Sequence, residues 1–167
     1  MSDPDPVMTI VGEAIGLGCS GDRARARELL REAWDRVGPD GDALHRVGIA
    51  HSMADLQDAP EEELIWDQRA LQAADELTDD RVAQAGIGTP VAGFYPSLHL
   101  NLGEAYRKLG RGEEAADHLR LGLESAAALH WSAEPADGYQ AMVLDALKRL
   151  ADRLGERLAK SPPTAGE

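Results

Sequence analysis

Residues Ser97–Ala128 read SLHLNLGEAYRKLGRGEEAADHLRLGLESAAA. Leu98, Leu102, Ala105, Tyr106 and Leu109 recur at three- and four-residue spacing, which brings them to one face of a helix. Pro96 suits the first turn of that helix, because its φ is fixed and its missing donor costs nothing there. Gly110 is placed to stop it. Ala115, Ala116, Leu119, Leu123, Ala126 and Ala127 then predict a second helix from about Glu113 to Leu129. So short a link makes the two helices antiparallel neighbours. Gly103 lies in mid-helix, where glycine costs about 1 kcal/mol relative to alanine, so the spacing predicts a close approach to the partner helix there. Neither helix covers its own apolar stripe, and the pair needs neighbours.

The flanking sequence supplies them. Val7–Gly18 carries Val7, Ile10, Val11, Ala14, Ile15 and Leu17. Arg23–Val37 buries Ala26, Leu29, Leu30, Ala33, Trp34 and Val37 and shows water a mixed-charge face. Gly38–Gly41 ends it. A helix over about Asp42–Leu56 has Leu44, Val47, Gly48, His51 and Leu56 inward. The run Asp58-Ala59-Pro60-Glu61 predicts a helix start with Asp58 as cap. The helix that follows, Pro60–Leu77, has Leu64, Ile65, Ala70, Leu71, Ala74 and Leu77 as core candidates and Trp66 at a packing seam. Its last turns are expected to extend to about Ala85. Gly86, Gly88, Pro90 and Gly93 then interrupt regular structure, while Ile87, Val91, Phe94 and Tyr95 give the loop reason to fold back onto the helices. A last helix begins at Pro135 or Asp137, with Tyr139, Val143, Ala146, Leu147, Leu150, Leu154 and Leu158 on one stripe. Residues 1–6 and 161–167 are expected to be disordered, leaving one domain over 7–160 with a long loop at about 78–95.

Leu102-Gly103, Tyr106, Ala115 and Leu119 resemble the signature of the tetratricopeptide repeat (TPR), with His99 at the usual tryptophan position. The TPR period is 34 residues, and Ala14 and Gly48 are 34 apart, as are Leu17 and His51. Ala26, Leu30 and Ala33 resemble the small–large–small triplet of the repeat's second helix. The resemblance implies an all-α fold: a short right-handed α-α superhelix of three helix-turn-helix repeats plus a C-terminal capping helix. Val7–Val37 and Asp42–Leu77 are the degenerate first and second repeats.

Composition narrows the function. The chain has 167 residues, 30 acidic against 17 basic, and a net charge of -13. Such a surface repels phosphate backbones, so nucleic acid is not the expected partner. No window is apolar enough for a membrane span, and the first residues have no signal-like pattern, so the expected location is cytoplasmic. Cys19 is the sole cysteine, expected as a small buried or half-buried filler near a turn. His45, His51, His99, His118 and His130 show no metal-ligand spacing. His51 and His99 are expected as satisfied core histidines. No nucleophile motif accompanies the serines, and no enzyme activity, metal or cofactor is expected.

The repeat resemblance implies a concave groove that receives a peptide or protein partner. Met8, Val11 and Ile15 would form its apolar end. His45, Ile49 and Ser52 would follow from the second repeat, and Ser97, Leu100, Asn101, Glu104, Arg107 and Lys108 from the third. Phe94 and Tyr95 would shape its lip. Asn101 matches a residue of the family's carboxylate clamp, but His45 and Ile49 stand where the clamp needs lysine and asparagine. Two alternatives remain open: a small-molecule or enzymatic site formed by Phe94, Tyr95, His45 and Arg107 under the loop, and a homodimer that covers the groove.

Overall fold

A computed structural model of the chain describes residues 5–132 and 138–160, with side chains described through Gly155. The described residues form eight α-helices and no strand. They are α1 Pro6–Cys19, α2 Arg23–Val37, α3 Ala43–Ala54, α4 Pro60–Asp75, α5 Asp79–Gln84, α6 Tyr95–Lys108, α7 Gly112–Ala128 and α8 Tyr139–Lys160, with a 3₁₀ turn over Val91–Phe94 leading into α6. The closest packing is within the successive pairs α1–α2, α3–α4 and α6–α7. The pairs then pack on one another through α2 and α3, α1 and α3, and α4 and α6, while α8 lies on α6 and α7. This is the paired-helix packing of a helical repeat.

Local chemistry sets the boundaries. Asp5, Asp22, Asp42 and Thr78 each accept backbone N–H groups as N-caps of α1, α2, α3 and α5, satisfying donors that a helix start leaves orphaned. Asp5 therefore lies in ordered chain and Pro6 already in a helix, where disorder through residue 6 was expected. The expected tail 161–167, the onset of the last helix at 135–137 and the Leu158 side chain lie outside the described residues. The expected cap Asp58 is not the cap of α4. Ala59 takes that position, and Asp58 instead receives Arg27 at 2.8 Å and Arg23 at 3.5 Å from α2. Helix α4 does not run on to Ala85. It ends at Asp75, and the Thr78 cap starts α5 as a separate short helix, because a β-conformation cap residue cannot sit inside a helix.

The loop does fold back. Ile87, Val91, Phe94 and Tyr95 pack against the cluster of Leu44, Val47, Leu77, Val82 and Leu98. Trp66 sits on the seam between the first two pairs, edge-on to Trp34 with ring centroids 5.1 Å apart. Two expectations about faces need correction, the first at Ile65 of α4, which is 47% exposed and not in the core. Ala116, Leu123 and Ala127 are exposed on α7, whereas Ala115, Gly122 and Ala126 are buried. The reason is α8: the position of a Gly122 Cβ lies 2.9 Å from Leu147 and 3.4 Å from both the His99 Cβ and the Pro96 carbonyl. Gly103 likewise serves two neighbours, since its Cβ would stand 2.7 Å from Leu150 Cδ2 on α8 and 3.4 Å from the Ala115 carbonyl on α7. Cys19 is exposed, not a filler.

His99 is buried as expected and meets His118 Nδ1 to Nδ1 at 3.0 Å. Only one of two facing nitrogens can donate, so this bond requires at least one neutral ring. Burial first, then the His118 charge, lowers the His99 pKa to about 4, and burial lowers that of His118. A depressed folded-state pKa means the unfolded chain takes up the proton first. Stability is therefore complete above the unfolded value near 6.5 and is lost as pH falls towards 4. The expected loss is on the order of 1–2 kcal/mol, discounted for partial solvent screening. Melting curves at pH 6.5 and 4 test this: the slope should shrink in His118→Gln, which still hydrogen-bonds but takes no proton, and an unchanged slope would contradict it.

Candidate functional site

The first helices of the pairs, α1, α3 and α6, border an apolar cleft of about 320 Å³. Met8, Val11 and Ile15 line it from α1, Leu44, Val47, His51 and Ser52 from α3, Ser97 and Leu98 from α6. Ile87, Phe94 and Tyr139 close its margin. Gly48 brings the walls together, because a Cβ there would lie 3.3 Å from the Met8 thioether. Ile15 is 51% exposed and Tyr139 55%, so both leave apolar surface in water beside the cleft.

The face of α3 is turned relative to the expectation. Residues 44, 47, 48, 51 and 52 border the cleft, whereas Ile49 is fully buried among Val11, Leu30 and Met53 and offers nothing to a ligand. His51 is accordingly not a core histidine; it is half-exposed at the cleft. His45 is used elsewhere. Its Nε2 lies 2.7 Å from Asp5 Oδ2, and Arg81 donates to Asp42 at 2.7 Å and to Asp5 at 3.4 Å. Burial works to raise the pKa of Asp5, but the bonds from His45 and from the first α1 amides prevail and hold it below its usual value. This network fastens α1, α3 and α5 at one end.

Phe94 borders the cleft, but the Tyr95 hydroxyl turns away to donate to Asp75 at 2.7 Å. Burial, then that carboxylate, pushes the phenol up to about 12. Arg107 donates to Glu104 at 2.8 Å. Tyr95, His45 and Arg107 are thus each engaged with a different carboxylate.

The polar side chains of α6 form a second zone beyond the cleft. Glu104 also receives Arg153 of α8, and Lys108 grips both oxygens of Glu63 on α4 at 2.8 and 2.7 Å. The Asn101 amide reaches His51 Nδ1 at 3.5 Å and Asp55 at 3.4 Å, both at the long limit of a hydrogen bond. Behind it lies Asp67 of α4, 1% exposed, with neither carboxyl oxygen hydrogen-bonded. Burial chiefly, then the Glu63 charge, raises its pKa to about 8, while the neighbouring Asn101 amide works in the opposite direction without completing a bond. Asp67 is the residue that a reading of the sequence overlooks. The signal was present, because it stands three residues after Leu64 and four before Leu71, inside the apolar stripe.

Among the described residues, no group of three or more His, Cys, Asp or Glu side chains is arranged to hold a metal ion, and no helix is long and apolar enough to cross a membrane. No family model, curated protein or solved structure matches the chain.

Proposed function

We propose that the three helix pairs are degenerate TPR-like repeats in a short right-handed superhelix. On this reading the chain is a non-enzymatic interaction module whose α1–α3–α6 cleft receives a peptide segment of a protein partner. One observation carries this reading: an apolar cleft runs along the first helices of successive pairs, with Ile15 and Tyr139 left half in water at its edge. Burying such side chains on a partner gains about 25 cal/mol per Å² of apolar surface removed from water. An amphipathic or extended segment fits a groove of this kind.

The test is selection of displayed random nonapeptides against the whole chain. Binding of the selected peptides is then measured for Ile15→Glu, Tyr139→Ala and, on the outer face of α7, Leu123→Ala. The first two should weaken binding about tenfold or more with little change in melting temperature, and Leu123→Ala should not. Equal loss in all three, or none in the cleft variants, would overturn the assignment. A second copy of the chain lying in the cleft would instead show as a mass that doubles with concentration and falls back in Ile15→Glu.

A further inference from the structure

Resting on that reading, we infer that the polar zone beside the cleft recognises a basic side chain, the guanidinium or ammonium of an arginine or lysine in the bound peptide, which passes Asn101 and pairs with the buried Asp67 carboxylate. A protein seldom buries a carboxyl with both oxygens unpartnered, because each lost hydrogen bond costs the full desolvation of the group. Here only the Asn101 amide acts on it, without completing a bond. The groups around it fit a cation. The charges of Glu63 on α4 and Asp55 just after α3 act on it; Asn101 and Lys108 approach from α6, and His51 from α3 borders Asn101. The only cation among them, Lys108, is occupied by Glu63. Asn101 stands between Asp67 and the cleft-lining His51, held by two bonds long enough to yield at small cost. A net charge of -13 favours approach of a basic segment. The cleft would then take apolar side chains of the peptide and Asp67 the adjacent cation.

The inference also has a proton signature. Asp67 is mostly protonated at pH 7, and a cation beside it favours the ionised form. Binding should therefore release up to one proton per peptide.

The test uses the full chain and the nonapeptides selected above. The selected pool should be enriched in arginine or lysine at one fixed place. Replacing that residue by citrulline or norleucine should weaken binding about tenfold or more. Calorimetry at pH 7 in phosphate and in Tris should show proton release that disappears in Asp67→Asn. Asn101→Leu, at a half-exposed position, should obstruct the route while leaving Asp67 in place, and should also weaken binding. Peptides that bind the cleft with no cationic preference and no proton release would overturn this inference and leave the interaction module standing. If no selected peptide responds to Ile15→Glu, the module itself falls and the inference with it.

Discussion

Asp67→Leu is expected to make the protein more stable. The substitution exchanges a buried carboxyl without hydrogen bonds for an apolar side chain of the same branching. Leaving a buried polar group without hydrogen bonds costs about 1–3 kcal/mol, and for a domain of this size each kilocalorie moves the melting temperature by about 2–4 °C. The pH dependence is the sharper signature. The folded-state pKa of Asp67, about 8, lies above its unfolded value. Between about pH 4 and 8 the folded chain therefore holds a proton that the unfolded chain has lost. Its stability is complete below that window and declines as pH rises through it. The advantage of Asp67→Leu should accordingly grow from pH 5 to pH 8 and level off above. Thermal melts at several pH values measure this, and a variant no more stable than the parent at pH 8 would contradict it. A gain in stability with a loss of basic-peptide binding is the trade expected where a fold retains strain for function.

Leu150→Ala is expected to have the largest effect in the opposite direction. Leu150 is fully buried and packs with Leu102, Ala105, Tyr106 and Leu154, so truncation should cost about 2–5 kcal/mol. Hydrogen exchange should show protection falling in α6, α7 and α8 and holding in α1 and α2, which lie at the other end of the line of pairs. Gly103→Ala offers a second-site check. In the parent chain the new Cβ would stand 2.7 Å from Leu150 Cδ2. In the Leu150→Ala background that obstacle is gone, and alanine's advantage of about 1 kcal/mol in a helix should appear. Equal effects of Gly103→Ala in both backgrounds would show that the two residues do not meet.

The fold was legible because helix periodicity and punctuation are local. Gly38 and Gly110 end α2 and α6 with positive φ, and the stripes of α2, α6 and, from Val143 to Leu154, α8 follow their three-and-four spacing, whereas Tyr139 at the start of α8 is exposed. Where the reading went astray, a distant partner decided the outcome. Asp58 looks like a helix cap but is drawn to Arg23 and Arg27 thirty-odd residues earlier. The buried face of α7 depends on α8, and the groove face of α3 depends on how Met8 meets Gly48. The candidate site was legible only in part for the same reason. Met8, Val11, Ile15, Ser52, Ser97 and Phe94 border the cleft, but His45 is taken by Asp5 and Ile49 by the core. Asp67, in the acidic run EEELIWDQ, resembles a solvated residue until its place in the stripe is noticed.

The central claim is that a peptide lies along α1, α3 and α6. A photo-crosslinking residue placed at Ser97, on the cleft wall, and in a second preparation at Glu124, on the exposed side of α7, tests it most directly with the selected nonapeptides. Adducts should form at position 97 and be suppressed by Ile15→Glu, with little at position 124. Adducts equally abundant at both positions, or absent at 97, would contradict the account.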